Sequence, residues 1–275
     1  MWGKFSRSWY LIKLSFGILR EDPELLIYPV ISLIAAVILM GIFAIPLFWN
    51  YTLTSAKSVI YPVFILYYLI LYSVIIFSNS ALVGSIIIKI RGGNPTISDG
   101  FGVAFSHIWD IFGYALIAAT VGLILSMIQE KLGSIGKIFT FITSLAWSVM
   151  TFLVVPVLIV EGIGSVDAIK RSSLLLKKTW GEQIIGNAGI GYFFAFVILG
   201  LSLLILPVIS YTYSHQMIML TVASGVILGL IFFLGIIVSA TLDTIYRVIL
   251  YRYAVDGVAH SSYDEDILRD SFRNK

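Results

Sequence analysis

No cysteine occurs anywhere in the 275 residues. That absence excludes disulfides, thiolate-held haem or iron–sulfur clusters, and thiol catalysis. Charge is scarce too, at 12% of residues, about half the share found in an ordinary soluble domain. Histidine occurs only as His107, His215 and His260. These are far apart and form no HExxH pair, so no metal site and no cofactor is expected. What fills the gap is apolar: 59% of the chain is hydrophobic. Several of the runs exceed the roughly 20 residues that span a bilayer core.

The expected fold class is therefore all-α, a polytopic integral membrane protein with six spans. They are placed at about 24–49, 60–88, 108–128, 138–160, 184–210 and 217–250, within a single transmembrane domain 1–257 that is followed by a polar tail 258–275. Turn-rich, polar joints separate them, among them "WNYTLTSAKS", "RGGNPTISDG", "QEKLGSIGK" and "SYTYSHQ". The first apolar run is too long for a signal h-region and has no small-residue cleavage site behind it, so the N-terminus is expected to be retained.

With alternating spans, every Lys and Arg except Lys57, Lys131 and Lys137 falls on the side of the two termini. Positively charged loops stay cytoplasmic, so the expected location is the cytoplasmic (plasma) membrane, with both ends inside.

Charge concentrates in "VEGIGSVDAIKRSSLLLKKTWGEQ", Val160 to Gln183, which carries Glu161, Asp167, Lys170, Arg171, Lys177, Lys178 and Glu182. At about 100° per residue, Ala168, Ile169, Ser172, Leu175, Leu176 and Thr179 share one arc, and Lys170, Arg171, Lys177 and Lys178 lie opposite. Ser165 is placed to cap this helix, Asp167 and the lysines suit the two ends of its dipole, and Gly181 is placed to stop it. It reads as an amphipathic interfacial helix whose basic side chains contact anionic membrane lipid.

The N-terminus has a similar stripe, Phe5, Trp9, Ile12, Phe16 and Leu19. "FSRSWYLIK" aligns with "IKRSSLLLK" so that Arg, Ser and Lys fall in register. "TISDGFGVAFSHIWD" occupies the same place before the third span. Three copies of an interfacial helix followed by a transmembrane hairpin would account for the whole chain.

The segments "SWYLIKLSFGILREDPELLIYPVIS", "RGGNPTISDGFGVA", "AWSVMTFLVVPVLIVEGIGSVDAIKRSSLLLKKTWGE" and "YRYAVDG" resemble a large group of prokaryotic membrane proteins of unknown function, common in archaea. The likeness runs from about Ser8 to Gly257, and Pro156–Glu182 is its most specific part. More distantly the chain is similar to the membrane domain of some glycerophosphodiester phosphodiesterases, without their soluble catalytic barrel. The resemblance implies a helical membrane domain and no particular activity.

Catalytic readings find little purchase. No serine sits in a nucleophile elbow, and the glycines of "GEQIIGNAGIGYFF" lack the Gly-Lys-Ser/Thr ending of a phosphate loop. Those glycines, and Gly225 with Gly229 four residues on, read as close helix packing.

Polar groups within spans matter more, because each is costly against lipid. Asn79, Asn187, Asp243 and Arg247 are the candidates, either as helix–helix contacts or as the lining of a polar path. Asp243 and Arg247 are spaced to pair on one helical face, and Glu161 is placed to neutralise Arg171 or Arg247. Prolines at Pro156 and Pro207 mark expected kinks.

The function expected is a non-enzymatic integral membrane protein that organises lipid or partner proteins. The alternative is an ion channel or small-solute transporter, within one chain or around the axis of a homo-oligomer. Nucleic acid is not an expected partner.

Overall fold

Apolar runs in lipid leave backbone N–H and C=O groups without water to bond, and a helix satisfies them locally. The computed structural model describes residues 2–49 and 57–256, and side-chain surroundings within them for 11–45, 62–133, 136–177, 190, 191 and 193–255. In chain order the helices are α1 (Trp2–Glu21), a 3-10 turn (Pro23–Leu26), α2 (Ile27–Trp49), α3 (Lys57–Ile90) and α4 (Ile97–Ser106). They continue with α5 (Ile108–Met150), α6 (Val154–Glu161), α7 (Ser165–Ser214) and α8 (Ile218–Asp256). No strand occurs among the described residues.

Among the described residues six stretches are long and apolar enough to cross a membrane: Pro23–Ile45, Pro62–Ile90, Ile108–Gly133, Gly136–Glu161, Phe193–Ser214 and Ile218–Val255. They follow the six expected spans in order. Large apolar side chains stand exposed along them, including Ile38, Leu66, Ile142, Leu203 and Val226. So much exposed apolar surface suits a lipid environment, not water.

The chain forms two compact units. The first comprises the chain up to Leu26 with Trp180–Tyr246, and the second Ile27–Thr179 with the chain from Arg247 onward.

In the second unit α3 is the hub, packing against α2, α4, α5 and α6. Residues Ala81 to Ile87 of α3 are all buried. Close approach to α4 depends on two glycines: a Cβ on Gly84 would lie 2.8 Å from the Val103 Cβ. A Cβ on Gly100 would meet the Tyr28 hydroxyl, the Ser85 hydroxyl and, at 2.8 Å, the Ala81 carbonyl. Tyr28, buried at the start of α2, hydrogen-bonds the Ser85 hydroxyl and donates to the Ile97 carbonyl at 3.4 Å. One phenol thus ties α2, α3 and α4 together.

Glycine also ends helices here. Gly162 is left-handed at φ 60° and closes α6, with its N–H on the Leu158 carbonyl at 3.1 Å. This geometry caps a helix and favours glycine. Within α5, Gly133 alone leaves helical geometry, at φ 57° and ψ −128°, so the joint expected as a loop is a tight bend. Across it the Thr140 hydroxyl donates to the Leu125 carbonyl at 3.4 Å.

In the first unit, α1 buries Leu11, Leu14, Ser15 and Ile18, while Phe16 is exposed. Ile12 and Leu19 are buried as expected. The buried stripe is turned away from Phe16 because small Ser15 takes the inward position and bonds back to the Leu11 carbonyl at 2.8 Å. Phe5 and Trp9 lie outside the residues with described side chains.

The start of α7 repeats part of this pattern. Leu175 and Leu176 are buried like Leu11 and Ile12, and Lys177 is exposed like Lys13. In α4, Gly100 and Ala104 are buried at the same spacing from Asp99 as Ala168 and Ser172 are from Asp167.

Gly181 does not stop α7, which runs unbroken to Ser214. Glycine costs a helix about 1 kcal/mol and ends it only where the chain turns left-handed. Gly191, Gly225 and Gly229 have nothing within 4 Å of an added Cβ. Close packing within the chain is therefore not their role. Gly235 does pack closely, 2.9 Å from Ile198.

Candidate functional site

The fourth span is interrupted, and Pro156 is the reason. Proline has no N–H to give the carbonyl four residues back, and its ring crowds that carbonyl. Four residues before Pro156 is Phe152. Between α5 and α6, Thr151–Leu153 leaves the helix, and the ladder resumes with Val157 N–H on the Leu153 carbonyl at 3.0 Å.

Side chains from elsewhere take over the lost bonds. Arg247 Nη1 donates to the Phe152 carbonyl at 3.2 Å, and its Cζ lies 4.2 Å from the centre of the Phe152 ring. Such a stacked cation is worth about 2 kcal/mol when shielded from water. The Ser172 hydroxyl donates to the Met150 carbonyl at 2.8 Å and accepts from Leu153 N–H at 3.1 Å. Ser172 is fully buried, so one hydroxyl replaces a turn of helix on both its donor and its acceptor side. The Thr151 hydroxyl donates back to the Trp147 carbonyl at 2.8 Å.

Below the break, Glu161 closes the cluster. Both its oxygens accept from Arg171 Nε, at 3.0 and 3.1 Å, and Oε1 also accepts from the Tyr251 hydroxyl at 3.1 Å. Tyr251 is buried. Glu161 ends α6, Arg171 lies two turns into α7 and Tyr251 is on α8, so the carboxylate joins three helices. Of the two partners expected for Glu161, the structure gives it Arg171.

Two stripes divide the start of α7. Ala168, Ser172, Leu175 and Leu176 are buried, and the Ser172 bonds seat this face on the α5–α6 break. The expected apolar arc is thus mostly docked on protein. Val166, Lys170, Leu174 and Lys177 form the outer stripe, and all are exposed. Lys170 reaches Asp167 at 3.1 Å, with both side chains 70% exposed, an ion pair worth little in water. Ser165 is the first residue inside α7 and not the flanking cap expected, and its hydroxyl donates to the Asp110 carbonyl at 2.8 Å.

Of the other candidates, Asn79 is half-buried between buried Ser78 and Ser80 on α3. Asp243 is half-buried on α8, beside buried Thr241, Leu242 and Thr244. Asn187 and Lys178 lie in α7, outside the residues with described side chains. Sequence reasoning missed Ser172 and Tyr251 as site residues. Only Pro156, four residues after Phe152, signals that a carbonyl there needs an outside donor.

Among the described residues no group of three or more His, Cys, Asp or Glu could hold a metal ion. A hollow of about 670 Å³ lies at the α7–α8 turn, and its lining among the described residues, Tyr213, Ser214, Gln216, Ile218, Thr221 and Val222, carries no charged side chain.

A family profile described as "Family of unknown function (DUF6159)" matches residues 58–261. No curated protein and no solved structure matches the chain.

Proposed function

Because the chain belongs to DUF6159, a family of unknown function, its role must be argued from its own side chains. We propose a non-enzymatic integral membrane protein that gathers anionic lipid at one rim of its bundle and so organises lipid or partner proteins. The outer stripe of α7 carries this reading: Val166, Lys170, Leu174 and Lys177 are exposed while the opposite face is buried. Alternating apolar and basic side chains on one exposed helical face match a bilayer interface, with lysine stems lying on apolar surface and ammonium groups reaching phosphates.

The polar cluster supports the non-enzymatic part. Ser172 and Arg247 bond to backbone at the break, and Glu161 is taken up by Arg171 and Tyr251. The distribution of Lys and Arg favours the inner leaflet of the cytoplasmic membrane, with both termini inside.

Purified protein extracted from mixed vesicles is expected to retain anionic over zwitterionic lipid. A K170A/K177A double variant should lower that enrichment by roughly tenfold or more, since each lysine near a membrane surface contributes about 1 kcal/mol. Native mass spectrometry of the retained lipid reads this out, and unchanged enrichment in the double variant would overturn the proposal.

The interrupted fourth span favours a second reading, an ion channel or small-solute transporter. Unwound backbone at membrane depth is tolerated where it lines a cavity or is held by protein, and transporters place their sites at such breaks. Protein in liposomes should then pass ions or small solutes, with Asn79→Leu, Asp243→Asn or Arg247→Leu altering the flux. Absence of flux across a broad solute panel would end this reading.

A further inference from the structure

We infer that Arg171 is a specificity-determining contact for the phosphate of a lipid headgroup, and that Glu161 and Tyr251 are its positioning residues. This rests on the reading that the rim of α7 gathers anionic lipid, and it adds which chemical group is recognised and by which atoms.

The geometry separates the two edges of one guanidinium. Glu161 holds Arg171 from the Nε side, through contacts of 3.0 and 3.1 Å. Among the described residues nothing else accepts from Arg171. The donors on Nη1 and Nη2 are therefore left for a ligand. The side chain of Arg171 is 41% exposed and that of Glu161 22%, which sets the carboxylate inward and the guanidinium outward.

Glu161 is itself fixed from behind by the buried hydroxyl of Tyr251, 3.1 Å from Oε1. It is the last residue of α6, where left-handed Gly162 fixes the chain direction. An arginine held this way cannot swing freely between rotamers. Its outer fork presents parallel N–H donors that match two oxygens of one phosphate, a geometry that an ammonium group lacks.

The neighbours complete the fit to a lipid. Leu174, one turn along α7, is 55% exposed and suits the glycerol and acyl side of a headgroup. Lys170 and Lys177 add positive charge on the same rim with no fixed geometry. The two kinds of cation thus divide the work: the lysines attract any anionic surface, and Arg171 fixes the headgroup phosphate in one geometry.

The test uses the full chain, purified and stripped of lipid, offered phosphatidic acid and diacylglycerol, the same lipid without its phosphate, in parallel and read by native mass spectrometry. Wild type should retain phosphatidic acid about tenfold better or more, the effect of charge-assisted hydrogen bonds. Arg171→Lys keeps the charge and a partner for Glu161 but loses the fork, and should lower that ratio about tenfold. Glu161→Gln loosens the arginine and should lower the ratio several-fold, whereas K170A/K177A should weaken retention of a long-chain fatty acid as well, since the lysines attract any anion.

An unchanged ratio in Arg171→Lys overturns the assignment of Arg171, and an unchanged ratio in Glu161→Gln overturns the positioning role. Loss of lipid enrichment in neither lysine nor arginine variants would defeat the broader lipid reading instead. Heat denaturation in the presence of inorganic phosphate provides a measurement independent of any variant's folding. Stabilisation of stripped wild type by millimolar phosphate would assign the site to a free anion and overturn the lipid headgroup, while no stabilisation agrees with it.

Discussion

Position 156 illustrates how one backbone atom shapes its neighbourhood. Without the Pro156 N–H, the Phe152 carbonyl takes its donor from Arg247, more than ninety residues along the chain. Glycine acts by a different absence, that of a side chain. The spacing of Gly225 and Gly229 says only that backbones could approach there, and no other part of the described chain lies within 4 Å of a Cβ built on either. Gly100 has no telling spacing, yet it sits against Tyr28, Ser85 and the Ala81 carbonyl. Gly100→Ala should therefore destabilise the protein by about 1–3 kcal/mol, the usual cost of forcing extra atoms into a packed core. Gly225→Ala should cause no loss. Heat denaturation of both variants in mild detergent checks the contrast, and equal midpoints would contradict this account of Gly100.

Among the elements, α4 is held by its first turn. Thr96 N–H donates to Asp99 Oδ2 at 2.8 Å, the Thr96 hydroxyl donates to the same oxygen at 2.7 Å, and Asp99 N–H donates to the Thr96 hydroxyl at 3.3 Å. This is a capping box, closed by a residue type and spacing already visible in "TISD". Hydrogen bonds from the Thr96 side chain and then its backbone hold the Asp99 carboxyl below its ordinary value of 3.8. A lowered carboxyl stabilises the folded state fully above that ordinary value. The contribution declines as pH falls further and is gone below the lowered native value. Amide exchange across Ile97–Ser106, taken relative to the intrinsic exchange rate at each pH, should therefore accelerate on acidification below 3.8. Thr96→Ala should speed it at neutral pH by loss of about 1 kcal/mol. Exchange insensitive to both would remove the box from the account. The start of α7 was legible in a different way: its two stripes follow from helical periodicity, but periodicity cannot tell whether an apolar arc meets lipid or protein. The two bonds of buried Ser172 settle that point here, and no sequence pattern announces them.

For the whole molecule, hydropathy alone recovers the six spans, because a run that must satisfy its backbone in lipid has few alternatives to a helix. The cluster of Glu161, Arg171, Ser172, Arg247 and Tyr251 was legible only in part. Charge marks its members, whereas their meeting depends on how distant helices pack. Orientation can be tested directly against the cysteine-free background. Single cysteines replacing Lys57 and Ser214 should react with an impermeant thiol reagent from outside intact cells, and one replacing Lys177 should not. Outside labelling at Lys177 would invert the proposed topology. The central place of α3 has a further consequence, for the order of synthesis. Because α3 follows directly on α2 in the chain and later contacts α4, α5 and α6, each of those helices leaves the ribosome with its partner already made. Chains are made at about 5–20 residues per second and fold in the order they emerge. The larger unit can therefore assemble by successive addition onto α3, and Arg247, made after α5 and α6, caps the break at Phe152 once they are in place.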